Sequence, residues 1–512
     1  MRNTPCVYIV GAGPGDPGLI SVRGQRHLES ADVVVYDHQV HGRMLRAARA
    51  DAERIDVGAA APRPLDQDAI SLLLVEKARE GKTVVRLKWG DPFVFDSGGK
   101  EALFLHEQGI PFEVVPGIPA TIGIPAYAGI PVTYPGAGDT LTLVRGHEAE
   151  TDDAPNIDWQ RFAGLDGTLV CYATARQVEA IATALLSNGR SPEESAALIY
   201  AGTTPAQETI VGTLGTIATQ ARQQEAAMLV IGRVAGLREH LRWFDDRPLF
   251  GRRIVVTRSR EQAGELVEML EQRGAEAIQA PTIRIAQPED MSALDRAVQD
   301  GGAFQWIVFT SANAVESFMQ RLVAIGDIRD LKGVRLCAIG PSTAERLSRY
   351  GLRVDLTPEE ARSEAVIDAL KATGPLERTR FLLPRADIAR EVLADQLRDA
   401  GADVSEVVAY RTLLAGGDRD SDHDIYRMLL DRQIDAVTFT SASTVKNFAR
   451  IFGEEQAADL LNTTVVASIG PVTAEAAQQL GIHTTVMPSR YTIADLVDAL
   501  VDHFSKQLAV SR

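Results

Sequence analysis

Short apolar runs recur along the chain: VYIV at 7–10, VVVY at 33–36, VVRL at 84–87, IVVT at 254–257, IVFT at 307–310 and AVTFT at 436–440. Longer amphipathic stretches separate them. Runs this brief, apolar on both faces, predict buried and mostly parallel strands, with helices packed over them. The chain therefore reads as α/β. WFDDRPLFGRR, from Trp243 to Arg253, breaks the alternation with charge, Pro and Gly before a fresh strand, which puts the major boundary near residue 250. Upstream, PGIPATIGIPAYAGIPVTYPG at 116–136 is too dense in Pro and Gly to be helix or central strand throughout, and predicts a crossing between two lobes.

The second half contains an internal repeat. FTSANAVESF begins at Phe309 and FTSASTVKNF at Phe439, an offset of 130, and IGPSTAE at Ile339 and IGPVTAE at Ile469 keep the same offset. RIVVTR from Arg253 and RFLLPR from Arg380 are offset by 127, as one loop insertion would produce. Each copy reads as strand, helix ending at Gly, strand, then a strand closed by Thr-Ser, a helix, and a strand closed by Gly-Pro-x-Thr. Two such lobes facing each other make a cleft. The hydroxyls at the turns, Ser311 and Ser441 among them, have a plain reading as helix caps. They also sit at the C-terminal ends of parallel strands, the usual ligand edge of an open α/β sheet, so both readings stand.

Length changes the picture by predicting three or four folding units from 512 residues. A formal charge of −16 disfavours a general nucleic-acid or anionic-membrane binder, so an anionic ligand needs a local basic pocket. Cys6, Cys171 and Cys337 match neither a disulfide framework nor a metal-ligand spacing, and a reducing cytoplasm is the expected setting. No run of about 18 apolar residues appears. With Met1 leading into a glycine loop within a dozen residues, neither a signal peptide nor a membrane segment is expected.

That loop, GAGPGDPG from Gly11 to Gly18, follows the first strand but meets no nucleotide motif. A dinucleotide fingerprint needs Gly where Asp16 stands, and no Gly-Lys-Ser/Thr follows. Asp37, closing VVVYD, could pass for the ribose-binding acid of a nicotinamide-dependent oxidoreductase, a reading that Asp16 weakens. Pro14 and Pro17 predict a rigid loop instead. RLKWGDPFVFDSGGKEA at 86–102 places a second Gly-Asp-Pro turn on the same sheet edge.

These motifs, with PFEVVPGIPA, AYAGIPVT, GHE, GTTPAQETIVGTL and RVAGLREHLRWFDDRPLFGRR, make residues 5–250 resemble the uroporphyrinogen-III C-methyltransferases of the tetrapyrrole methylase family. From Arg253 onward, TSAN, IGP-x-T, PRAD and PSRYTIADLV are similar to uroporphyrinogen-III synthase. The resemblance implies a natural fusion: a bilobed methylase fold over 1–245, a linker at 246–252, and over 253–512 a bilobed synthase fold of two similar parallel α/β lobes. Lobe one would be about 253–286 plus 415–512 and lobe two about 290–412. The synthase half would cyclise hydroxymethylbilane to uroporphyrinogen III, with inversion of the last ring, loss of water and no cofactor. The methylase half would carry methyl groups from S-adenosylmethionine to carbons C2 and C7 of that product, giving precorrin-2, and would pair as a homodimer.

By the same resemblance Asp37 is the proton acceptor, and Pro14, Gly90, Asp91, Val94, Ala120 and Gly202 surround the cofactor, chiefly through the WGDP turn. Tyr410 is the acid aiding loss of the hydroxyl, and Thr343 and Thr473 lie at the cleft of opposite lobes. The chain departs from the family pattern at Ala59 (usually Lys), Trp89 (Gly), Asp96-Ser97 (Gly-Arg), Pro119 (Thr or Ser) and Ala173 (Met), a cluster at the cofactor cleft. Such clustering implies either a reshaped pocket that still binds S-adenosylmethionine or a half that has lost methylation. Substrates with many carboxylates call for cations, and Arg258, Arg385, Arg411 and Arg490, the last beside Tyr491, stand at strand ends or turns. A non-catalytic tetrapyrrole sensor built on the same bilobed domains is the alternative from another class.

Overall fold

The computed structural model describes residues 7–58, 65–146, 156–223, 225–358, 363–387, 392–414 and 424–510. Cys6, Ala59 and the His147-Glu148 of the GHE motif lie outside the described residues. Contact density divides the chain into two units, one built on the first half as far as Ile254 with Glu268–Ala277 and the segment from Leu500 on, the other on Val255–Val267 with Ile278–Ala499.

The first half holds two five-stranded sheets. Val7–Gly11 (β1), Val33–Tyr36 (β2), Glu53–Asp56 (β3), Val84–Lys88 (β4) and Phe112–Val115 (β5) make the first, in the order β3-β2-β4-β1-β5 with every pairing parallel. Its two apolar faces, Val7, Ile9, Val33, Val35 and Val84 on one side and Val10, Val34, Val85 and Leu87 on the other, are covered by separate helix-packed cores. That is why the strands read as continuous apolar runs. Leu141–Val144 (β6), Thr168–Ala173 (β7), Ser195–Tyr200 (β8), Glu208–Thr213 (β9) and Ala227–Ile231 (β10) form the second sheet, in the order β6-β7-β10-β8-β9. Here the expectation of mostly parallel strands fails. Only β6 and β7 pair in parallel, because β8 and β9 return on each other directly and β10 runs antiparallel between β7 and β8.

The second half continues with Arg253–Val256 (β11), Glu276–Gln279 (β12), Ile283–Ala286 (β13), Trp306–Phe309 (β14), Arg335–Ala338 (β15), Arg380–Ala386 (β16), Asp403–Leu414 (β17), Ala436–Phe439 (β18) and Val465–Ser468 (β19). One sheet has the order β12-β11-β18-β19 and the other β13-β17-β16-β14-β15. The repeat explains both. β11 and β12 from the first copy join β18 and β19 from the second, and β16 and β17 from the second copy join β14 and β15 from the first. Strand β13, at the end of the first segment assigned to lobe one, is hydrogen-bonded to the far part of β17 in the other sheet, antiparallel from Ile283 opposite Leu414 to Ala286 opposite Arg411.

The repeated decapeptides have a physical content. Phe309 and Phe318 meet edge to face with ring centroids 5.7 Å apart, and Phe439 and Phe448 do the same at 5.7 Å. Each pair staples a strand to its following helix, worth about 0.5–1.5 kcal/mol beyond the area it buries. Ser311 and Ser441 cap those helices, accepting from the backbone N–H of Ala314 at 3.1 Å and of Thr444 at 3.3 Å. The Gly-Pro pairs put Pro341 and Pro471 at the first helical position, where a missing N–H costs nothing.

Candidate functional site

In the first half three loops converge at the C-terminal edge of the parallel sheet. Gly13 and Gly90 exchange backbone hydrogen bonds, N–H to carbonyl at 3.1 and 2.9 Å, which ties the first glycine loop to the WGDP turn. The turn needs its glycine, since Gly90 has φ of +71°. A Cβ on Gly117 would lie 2.2 Å from the Gly90 carbonyl oxygen, so the third loop closes in only without a side chain there. Asp91 holds this arrangement with both oxygens, accepting from Phe93 N–H at 2.9 Å and Gly117 N–H at 3.0 Å. Asp16 does similar work in the glycine loop, accepting from Gly18 N–H at 2.7 Å and from the Tyr127 hydroxyl at 2.7 Å. Its carboxylate pushes the Tyr127 phenol well above its ordinary value, after burial, which contributes most.

Beside these loops lies a cavity of about 710 Å³. It takes Asp37, Trp89, Gly90, Asp91, Val94, Asp96 and Ser97 from the parallel-sheet lobe, Ala120 from the helix packed on the second sheet, and Arg145, Tyr172 and Met228 from the second sheet's lobe. Pro14, Pro119, Ala173 and Gly202 are not among its lining residues. Pro14 instead accepts a hydrogen bond from the Trp89 indole at 3.0 Å through its carbonyl. Pro119 precedes the helix Ala120–Tyr127, Ala173 is 1% exposed at the end of β7, and Gly202 backs onto Ile124. Trp89 does not fill the cavity: its ring turns toward Tyr172, centroids 5.5 Å apart.

Under the cavity floor sits a charge network that the sequence reading passed over. Arg86 and Lys88 are each 1% exposed and Glu101 is 0% exposed. Arg86 donates to Asp37 Oδ1 at 2.5 Å and to Glu101 Oε1 at 3.2 Å. Lys88 donates to Glu101 Oε1 at 3.2 Å and to Ser97 Oγ at 3.1 Å, and its Nζ stands 3.0 Å from Asp96 Oδ1. Trp89 N–H donates to Asp37 Oδ2 at 3.0 Å. Burial alone would push the Asp37 carboxyl up, but the Arg86 and Lys88 charges and the Trp89 N–H outweigh it and hold it below the usual carboxylate range. Asp96 goes the other way: burial, helped by the Asp37 charge, pushes its carboxyl up against the pull of Lys88. The signal for the network was present in VVRLK, where two cations occupy a strand otherwise apolar on both faces.

In the second half, Tyr410 sits in β17 at 7% exposure and its hydroxyl lies 3.1 Å from Ser311 Oγ. Burial raises this phenol above its ordinary value, with hydrogen bonds from Ser311 and Asn313 opposing and the Asp387 charge adding. Asn313 Oδ1 in turn accepts from Gln262 at 3.0 Å, and Gln262 Oε1 accepts from Arg258 at 3.1 Å. A polar chain thus links Arg258, after β11, to Tyr410 in the opposite lobe's sheet. Among the described residues no carboxylate pairs with Arg258, whose guanidinium burial holds below its usual value.

The other cations expected there are engaged. Arg385 pairs with Glu406 at 2.6 Å, Arg490 with Asp495 at 2.9 Å, and Arg411 with Glu289. The repeat equivalence of Arg258 and Arg385 therefore does not carry over to their charge environments. Thr343 and Thr473 are 2% and 3% exposed, while Tyr491 is 60% exposed with its ring edge against Gly470.

Residues 6–218 match the family model for Tetrapyrrole (Corrin/Porphyrin) Methylases, and residues 264–498 that for Uroporphyrinogen-III synthase HemD. The chain is 34% identical over 503 residues to the porphyrin biosynthesis protein HemD of Ruminiclostridium josui, which covers 97% of this chain and 97% of that protein. It is 35% identical over 377 residues to a uroporphyrinogen-III C-methyltransferase of Bacillus subtilis, 73% of this chain and 77% of the relative. A crystal structure of uroporphyrin-III C-methyl transferase from Thermus thermophilus, complexed with S-adenyl homocysteine, aligns at 36% identity and a TM-score of 0.39, covering 45% of this chain and 99% of its own. With one relative aligned end to end and both halves matched separately, the chain belongs to the family of bifunctional tetrapyrrole-biosynthesis enzymes that join a tetrapyrrole methylase to a uroporphyrinogen-III synthase.

Proposed function

We propose that the second half closes hydroxymethylbilane to uroporphyrinogen III and that the first half methylates that product at C2 and C7 with S-adenosylmethionine, giving precorrin-2. The observation that carries the methyl-transfer reading is the cavity beside Gly90. Its size suits a nucleoside cofactor. Its donor set, a carboxylate at Asp37, aromatic faces at Trp89 and Tyr172 and apolar Val94 and Met228, suits a ligand that is cationic at one end and aromatic at the other. When bound, S-adenosylmethionine supplies an electrophilic methyl group. Asp37, fixed by Arg86 and the Trp89 N–H, sets a negative charge against a sulfonium at no reorganisation cost. Asp91 and the glycines hold the loops that shape the pocket.

For the synthase reaction, Tyr410 offers a phenol that stays protonated and is oriented by Ser311, suited to donating to a departing hydroxyl. Arg258, half-buried and with no carboxylate partner among the described residues, suits a substrate carboxylate. By the family resemblance, Ser311, Ser441, Thr343, Thr473, Arg385 and Tyr491 are further candidate substrate contacts. The buried thiols Cys171 and Cys337 fit a reducing cytoplasm, and pairing of two chains through the methylase half follows from the family resemblance. Incubating the full chain with uroporphyrinogen III and methyl-labelled S-adenosylmethionine tests the methylase reading: label in the macrocycle is expected, and its absence leaves a synthase with a silent partner domain.

A further inference from the structure

Two carboxylates line the methylase cavity close to the same buried cations, and their oxygens are not equivalent. Asp37 has both occupied, Oδ1 by Arg86 at 2.5 Å and Oδ2 by the Trp89 N–H at 3.0 Å. Taking a proton would weaken both bonds, which are stronger for its negative charge. Asp96 is anchored through one oxygen alone: Oδ1 accepts from Ser97 N–H at 2.6 Å and faces Lys88 Nζ at 3.0 Å, and no described residue donates to Oδ2. Its side chain keeps 22% exposure on the cavity wall. The pair is therefore divided into a carboxylate locked in its charged form and one with a free oxygen toward the ligand, a pattern that separates electrostatic from proton-transfer roles.

We propose that Asp96 Oδ2 accepts the proton released on methyl transfer, while Asp37 stays ionised as the fixed counter-charge. The inference rests on the methyl-transfer reading of this cavity. A ring carbon of the macrocycle forms the new C–CH₃ bond with a π pair as the S–CH₃ bond breaks and its pair returns to sulfur. The cationic macrocycle then loses a proton from carbon to Asp96 Oδ2, and the C–H pair restores the neutral π system. Burial and the Asp37 charge raise the affinity of Asp96 for that proton, with Lys88 limiting the effect. The other charged groups about the cavity are Arg86 and Glu101 beneath it, and Asp91, Lys100 and Arg145 on its wall.

The test uses the full chain and the variants Asp96→Asn, Asp96→Glu and Asp37→Asn. S-Adenosylhomocysteine binding is expected to stay within about threefold of wild type in Asp96→Asn, while single-turnover methyl transfer falls by about 10²-fold or more. Asp96→Glu should recover part of the rate with the acid limb of its pH profile displaced. Infrared spectra across the acid range should show a carboxyl that gains its proton above the ordinary aspartate range, a signal lost in Asp96→Asn and kept in Asp37→Asn. Wild-type transfer in Asp96→Asn, or loss of that band in Asp37→Asn instead, overturns the assignment alone. A wild-type chain that transfers no methyl overturns the methyl-transfer reading and the assignment with it.

Discussion

Arg86 reaches Asp37 from beneath the cavity, 2.5 Å between Nη2 and Oδ1, with the guanidinium side chain 2% exposed and the carboxylate 20% exposed. The consequence is that Asp37 belongs to the charged floor as well as to the cavity wall.

Replacing Asp37 with Asn should therefore cost stability along with methyl transfer. Arg86 keeps Glu101 but loses a buried charge-assisted bond, and a loss of about 1.5–3 kcal/mol is expected in urea unfolding. The pH dependence has a definite sign. Because the folded-state carboxyl lies below its unfolded value, its stabilisation is full above about pH 4 and is lost as the pH falls through the folded value. The gap between wild type and Asp37→Asn should narrow on acidification.

The Trp89 indole both walls the cavity and donates to the Pro14 carbonyl at 3.0 Å. Trp89→Gly should weaken S-adenosylhomocysteine binding about tenfold, the scale of one lost aromatic contact with its hydrogen bond. Unchanged affinity by calorimetry would show that the indole is scaffold alone.

Tyr410→Phe should lower the rate of uroporphyrinogen III formation about 10- to 100-fold with little change in melting temperature, because the ring keeps its packing. The raised phenol predicts that the alkaline fall of wild-type activity is centred above pH 10, where an ordinary tyrosine is half deprotonated. An alkaline fall centred near pH 9 would remove Tyr410 as the donor.

Arg258 and Arg385 separate by the same logic. Arg258→Ala should raise KM for hydroxymethylbilane about tenfold, as loss of a charged hydrogen bond does. Arg385→Ala removes a group already paired with Glu406, and should move KM less than about threefold while costing about 1 kcal/mol of stability. Steady-state kinetics on both variants, with the type III isomer resolved from type I, decides the ranking.

What the sequence made legible follows from how local each feature is. The strand runs, the duplication at Phe309 and Phe439, and the two Gly-Pro caps are patterns within one stretch of chain, and they translate directly into sheets, stapled helices and turns. The antiparallel β7-β10-β8 arrangement was not visible, because an apolar run buried on both faces looks alike in either direction. At the site, Asp37, Trp89, Gly90, Asp91, Val94 and Ala120 stood beside motifs and do line the cavity, whereas Arg145, Tyr172 and Met228 arrive from another lobe at no fixed spacing. Arg86 and Lys88 were readable as cations in a core strand. Their partner Glu101, a helix residue away in sequence, gave no sign that it was buried. The equivalence of Arg258 and Arg385 misled because the repeat preserves backbone position without preserving neighbours such as Glu406.

The most direct measurement is anaerobic incubation of the full chain with hydroxymethylbilane and S-adenosylmethionine, followed by mass analysis of the macrocycle. A type III product carrying two added methyl groups is the predicted result. Uroporphyrinogen of type I, or a type III product with no added methyl, would contradict the claim that both halves act in sequence on one tetrapyrrole.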